Sequence, residues 1–285
     1  NTFTAATTVN AGTLAVSVNN ALGTNAAGTT VASGATLDFQ NVTYSTTEAL
    51  TVTGGTIAAS TGSSSFAGTV ALGAGGGTAN VGGTTLTLSG AISGSTGLTK
   101  TGGGALILSG TNTYTGGTTV SAGTLNLANT STLTSSSGGL TLSGGTLLLS
   151  NTGTYSLGAV TVSSSSTIDF GTAGVTNLSL TNLTIASGAT LTINNWVRNS
   201  DTFTVTSAPN INTSTVSAGA TIDRTSVNFS NYGELAQWNG TNFSNQLAAV
   251  PEPSTYGAMM MAGCAGLLGW RRWRRKDKAA APSAD

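Results

Sequence analysis

Histidine is absent from the 285 residues and cysteine occurs once. Zinc centres built from Cys and His are thereby excluded, as are catalytic triads that need an imidazole. Charge is scarce as well: 9 Lys+Arg and 9 Asp+Glu make up 6% of the chain, against about 25% in an ordinary soluble domain. With so few cations, six of them crowded at one end, no nucleic-acid surface is expected. Proline occurs only four times. What the chain has instead is Thr (54), Gly (40) and Ser (34), together 128 residues. Its 38% hydrophobic content separates it from a plain disordered linker, which would be poorer in Val, Leu and Ile.

The net charge of zero hides two different objects. Residues 1–250 carry three cations (Lys100, Arg198, Arg224) and six anions (Asp38, Glu48, Asp169, Asp201, Asp223, Glu234). A short stretch further on carries Arg271, Arg272, Arg274, Arg275, Lys276 and Lys278. The single thiol, Cys264, lies just before it in an apolar stretch, so the body has no disulfide. A body without disulfides must draw its stability from other sources, such as repetition and hydrogen bonding.

Repetition is plain. NTYTGGTTVSAGTL (112–125) and NTFTAATTVNAGTL (1–14) share ten of fourteen positions. LTVTGGTIAAS (50–60) pairs with LTLSGGTLLLS (140–150), and VASGATLDF (31–39) with IASGATLTI (185–193) and VSAGATIDR (216–224). The unit is an alternating Thr/aliphatic run, a small turn around Gly, and a second run. The aliphatic residue after the turn falls at Leu14, Leu37, Ile57, Leu86, Leu106, Leu125, Leu147, Ile168, Leu191 and Ile222. Most steps are near 20 residues; the steps of 29 (Ile57 to Leu86) and 31 (Leu191 to Ile222) are read as turns holding loops. Period-two alternation is the strand signal, Thr and aliphatics suit a pleated surface, and Gly-Gly and Ser-Gly steps supply turns. No helical period stands out before residue 250.

Short strands at such intervals suit an antiparallel sandwich or a β-solenoid. Repetition in register favours the solenoid, because like residues then stack about 4.8 Å apart, leucines inside and threonines outside. The expected fold is all-β: a parallel β-helix (β-solenoid) rod over residues 1–193, terminal rungs and a cap over 194–249, and a single transmembrane helix C-terminal to it. Leu14, Leu37, Ile57, Leu106, Leu125, Leu147, Ile168 and Leu191 are expected to point inward.

GLTKTGGGALILSGTNTYTGGTTVSAGTLNL (97–127) closely resembles the autotransporter-associated β-strand repeat of bacterial surface proteins. Asn1–Leu14 resembles the second half of that motif. The resemblance implies a parallel β-helix like the passenger rods of exported proteins. Residues 194–285 hold too few amphipathic strands for a membrane barrel, so no translocator is expected there. Asn1 enters the repeat at its midpoint, and upstream repeats and an export signal are expected to precede it.

Val250-Pro251-Glu252-Pro253-Ser254 is followed by GAMMMAGCAGLLGW (257–270) and RRWRRKDK (271–278). This order of two-proline motif, apolar segment and basic stop looks like the PEP-CTERM sorting signal of Gram-negative bacteria. The resemblance implies an exosortase as partner, a membrane-embedded Cys-dependent transpeptidase that cleaves near Pro-Glu-Pro and passes the protein to the outer surface or an exopolysaccharide matrix. Proline fixes φ and lacks an N–H, so the motif stays extended. A helix over residues 254–270 reaches about 25 Å, short of a ~30 Å hydrocarbon core, with Trp270, Trp273 and snorkelling arginines making up the difference. Arg271, Arg272, Arg274, Arg275, Lys276 and Lys278 hold the tail cytoplasmic and leave the rod outside. Residues 279–285 are expected to be a disordered tail. Ala258, Ala262 and Gly266, spaced by four, are read as ordinary small residues of a short membrane segment rather than a packing face, and Cys264 as inert.

Two functions fit. One is a surface or matrix rod for adhesion, spacing or scaffolding of exopolysaccharide, with no cofactor, no metal and no catalysis. The other is a β-helix lyase or hydrolase acting on that polysaccharide. Its candidates are Asp38, Asp169 and Asp223, each directly after the aliphatic residue of its rung and so expected at related rung positions, with Arg224 as the nearby cation. Glycoside hydrolysis needs two carboxyls about 5–10 Å apart; the plainer reading is a strand-end Asp bonding local N–H groups.

Overall fold

Alternating Thr and aliphatic residues give strands that are buried on one side and half-exposed on the other, as in Leu98–Thr101 and Leu140–Ser143. In the computed structural model the structure describes residues 1–130, 133, 138–174, 176–196 and 201–205, and the strand backbone at 210–211, 227–229, 234–235 and 242–243. The described residues all belong to one compact unit.

The chain coils through three sheets in turn. Leu50–Thr53 lies in the first, Thr56–Ala59 in the second and Ser63–Phe66 in the third; Val70–Leu72 then returns to the first, beside Leu50–Thr53. Strand pairing from turn to turn is parallel from Thr7–Val9 through Thr202–Val205, which makes the body a parallel β-solenoid of about nine turns. The described residues contain no helix. Parallel ladders bury both faces of strand backbone only when every N–H finds the next turn, and the first proline of the sequence is Pro209, so no strand from Thr7 to Val205 lacks a donor. Antiparallel strands enter at the far end, where Asn242–Phe243 pairs with Thr202–Val205 and Glu234–Leu235 with Val227–Phe229. They cover edges that a parallel coil would leave open.

The core is a set of stacked ladders. In the first sheet Val9, Val31, Val52 and Leu72 are in register. In the second, Leu14, Leu37, Ile57, Ala79, Lys100, Val120, Leu142, Val162 and Ile185 are in register. In the third, Ser64, Leu86, Leu106, Leu125, Leu147, Ile168 and Ile193 are in register. Phe39, Tyr44 and Phe66 close the early turns, with ring centroids 5.3–5.7 Å apart. From residue 153 the corner between the first two sheets straightens. Gly153–Ser164 and Thr176–Ile185 run as single long strands across both faces.

Tight corners demand glycine at particular places. A Cβ on Gly97 would lie 2.5 Å from the Gly117 carbonyl of the next turn. Gly123 has φ +64° and would place a Cβ 2.4 Å from the carbonyls of Gly102 and Gly104. Neither position accepts another side chain without parting the turns.

The inward residues expected from the sequence are buried at Leu37, Ile57, Leu106, Leu125, Leu147, Ile168 and Leu191. Leu14 is only partly buried, packed against the core. The 29-residue step is a correction. Ile57 belongs to the second sheet and Leu86 to the third. The residue opposite Ile57 is Ala79, and the residue opposite Leu86 is Ser64. No long loop is inserted; the conspicuous Thr-Leu step moves from one face of the coil to the next. Leu191 likewise stands opposite Ser166, while Ile168 faces Ile193. Ile222 lies outside the described residues.

Candidate functional site

The sorting residues Val250, Pro251, Glu252, Pro253 and Ser254, the basic residues Arg271, Arg272, Arg274, Arg275, Lys276 and Lys278, the segment 254–270 with Cys264, and the tail 279–285 all lie outside the described residues. Among the described residues no helix is long and apolar enough to cross a membrane.

The acids considered for catalysis do not share a position. Asp38 lies on the second sheet and Asp169 on the third. The expectation of related rung positions is therefore corrected, and the cause is the same change of face between Ile57 and Leu86. Asp223 and Arg224 fall outside the described residues. Asp38 is buried and accepts hydrogen bonds from Ser60 N–H at 2.9 Å, Ser60 Oγ at 2.6 Å and Gln40 Nε2 at 2.8 Å. Burial pushes its pKa up, but the bonds from the Ser60 hydroxyl, Gln40 and the Ser60 N–H outweigh burial and hold it below the ordinary aspartate value. Asp169 accepts from Gly171 N–H and Asn195 Nδ2, each at 2.8 Å. Both carboxylates are thus engaged in local bonds. No group of three or more His, Cys, Asp or Glu among the described residues is placed to hold a metal.

Three buried charged groups were not singled out from the sequence: Lys100, Glu48 and Asp201, whose Oδ1 accepts the Thr176 N–H at 2.7 Å. Lys100 has no exposed surface. Its Nζ donates to the carbonyls of Thr101 (2.6 Å), Gly102 (2.7 Å) and Ala122 (3.2 Å), and burial lowers its pKa to about 8. Glu48 is also buried and accepts from the Thr29 hydroxyl and from Tyr44 Oη, the latter at 3.1 Å. Tyr44 is pushed up to about 12, chiefly by burial, and its Oη accepts the Leu22 N–H at 3.1 Å. For Lys100 the signal in sequence was faint: a single charge at an inward position of the alternating strand Leu98–Thr101; Glu48 lies between strands and carried no such signal.

The aromatic and amide residues of NTYTGGT prove architectural. Asn112 is buried and its Oδ1 accepts the Ile92 N–H at 2.8 Å. Tyr114 is buried, with Oη 2.6 Å from Thr118 Oγ1, and burial raises its pKa to about 12.

The outer surface carries the most regular feature. Thr13, Thr36, Thr56, Thr78, Thr99, Thr119, Thr141, Thr161 and Thr184 form one unbroken ladder along the second sheet. Successive members are therefore about 4.8 Å apart. Beside its middle section runs a polar groove of about 380 Å³, lined by Gly76, Gly97 and Gly117 together with Thr78, Thr99, Thr119 and Thr141. No charged side chain lines it.

Two family models match the chain. The passenger-associated-transport-repeat matches residues 1–16 and 98–127, and the PEP-CTERM protein-sorting motif matches residues 249–276. No curated protein and no solved structure shows a significant match. The first model coincides with turns of the solenoid, where Lys100, Asn112 and Tyr114 are buried, and the second with the two-proline, apolar and basic sequence. The chain therefore carries passenger-associated-transport repeats, built into a parallel β-solenoid, together with a PEP-CTERM protein-sorting motif.

Proposed function

We propose that this chain is an exported structural rod, processed by an exosortase and delivered to the outer surface or extracellular matrix of a Gram-negative bacterium. The observation that carries the reading is the PEP-CTERM motif at residues 249–276 on the same chain as a solenoid almost devoid of charge. Residues 254–270 form a transient membrane helix, Arg271 to Lys278 hold the tail on the cytoplasmic side, and cleavage falls near Val250–Ser254. Basic residues close to an anionic membrane surface each contribute about 1 kcal/mol, so the cluster holds and a single substitution is tolerated.

The rod is read as adhesive or scaffolding and without catalytic activity. Two things support this: the acids Asp38 and Asp169 are tied into local hydrogen bonds on different faces, and the threonine ladder offers a long uncharged surface suited to hydroxyl-rich exopolysaccharide. The test of sorting is mass spectrometry of the surface fraction in a host carrying the cognate exosortase. Mature protein is expected to lack the peptide beyond Arg271, and replacing Pro251 and Pro253 with Ala is expected to leave uncleaved protein in the membrane. Mature surface protein that retains the tail would make the segment a permanent anchor and end the proposal.

A further inference from the structure

Lys100 occupies a place in the second-sheet ladder that every neighbouring turn fills with an aliphatic residue: Ala79 stands on one side and Val120 on the other. Its side chain is fully buried. The ammonium offers three donors, and three backbone carbonyls take them, two from its own turn and one, Ala122, from the next. That arrangement supplies partners for corner carbonyls, which are costly to bury unpaired. It supplies no opposite charge. Between Gly77 and Leu127 the sequence holds no titratable side chain besides Lys100 and Tyr114. The flanking strands Gly77–Val81 and Thr118–Val120, the third-sheet strands Thr85–Leu88, Ala105–Leu108 and Thr124–Leu127, and the first-sheet strand Ile92–Gly94 carry no charged group. Tyr114 is bonded to Thr118 and stays neutral to about pH 12.

A buried charge without a counter-charge costs more than its carbonyl partners return, whereas a neutral amine keeps two donors and sheds the desolvation penalty. We propose that Lys100 makes the pair of stacked turns within Leu98–Leu127 the proton-sensitive joint of the rod: with the ammonium charged, this stretch opens more readily than with the amine neutral. The direction agrees with the lowered proton affinity of the buried group, from 10.5 to about 8. Between those values the opened state binds more protons than the closed one, so the closed stretch gains stability as pH rises through the window. The joint is therefore loosest at neutral and acid pH and tightest in alkali.

Native-state hydrogen exchange of the full chain tests this, with each amide referred to its own intrinsic rate and to amides of Leu140–Ile185 as an internal standard. Between about pH 6.5 and pH 9, amides of Leu98–Leu127 are expected to gain about tenfold in relative protection, as a shift of this size requires. The variant Lys100→Met is expected to show equal protection at both pH values. A flat response or a loss of protection in the unsubstituted protein would overturn the proposal, and so would the same gain in Lys100→Met. Should Lys100→Met fail to fold, an NMR titration of carbon-13-labelled lysines decides the matter in the unsubstituted chain, which has three. One resonance with a midpoint near 8 supports the joint; three midpoints near about 10.4 sink it.

Discussion

Asp38 takes both hydrogen-bond donors of Ser60, one turn further along the coil: the N–H at 2.9 Å and the hydroxyl at 2.6 Å. A carboxylate that caps the following turn in this way ties two rungs together with charge-assisted bonds. Because its folded pKa lies below the ordinary value of 3.8, its contribution is complete above that value. It is lost as pH falls through the lower folded value. Acid unfolding is expected to show this directly. Below about pH 4 the unsubstituted rod should lose stability more steeply than Asp38→Asn, while near neutrality Asp38→Ala should cost about 1–2 kcal/mol in urea titrations.

Glycine substitutions separate close packing from open corner. Gly97→Ala drives a Cβ to 2.5 Å from the Gly117 carbonyl, whereas a Cβ on Gly103 meets nothing within 4 Å. Gly97→Ala is expected to lower stability by about 1–3 kcal/mol, and Gly103→Ala to change it by about 0.5 kcal/mol or less. Thermal melting of the two variants side by side checks the contrast.

Inside and outside of one turn should differ as sharply. Leu125 is fully buried between Leu106 and Leu147, and Leu125→Ala is expected to cost about 2–5 kcal/mol because neighbouring turns cannot collapse into the gap. Thr119, on the outer ladder, is half-exposed, and Thr119→Ala is expected to stay within about 0.5 kcal/mol. Chemical unfolding midpoints of the two proteins give the answer.

Catalysis is open to a direct assay. The purified rod, incubated with acidic and neutral polysaccharides, is expected to yield neither new reducing ends nor unsaturated products. Turnover that disappears in Asp169→Asn or Asp223→Asn would establish the lyase or hydrolase reading instead.

The sequence alone determined the class of fold and most of the inward side chains, Leu14 being only partly buried. Period-two alternation chooses strands, repetition in register chooses a coil, and the stacked leucines Leu106, Leu125 and Leu147 follow from both. The two-proline, apolar and basic order around residues 250–278 was also legible, since it is written in contiguous residues. What the tertiary structure decided is which face each repeat occupies. All three sheets use the same Thr/aliphatic alternation, so a Thr-Leu step looks alike on the second sheet at Leu37 and on the third at Leu86. Only the stacking of one turn on the next fixes the face, and with it the separation of Asp38 from Asp169. The same holds for Lys100. The alternation of Leu98–Thr101 places it on the inward face but does not say what surrounds it there. Burial comes from Ala79 and Val120, each about twenty residues away, which parallel pairing brings within one strand spacing.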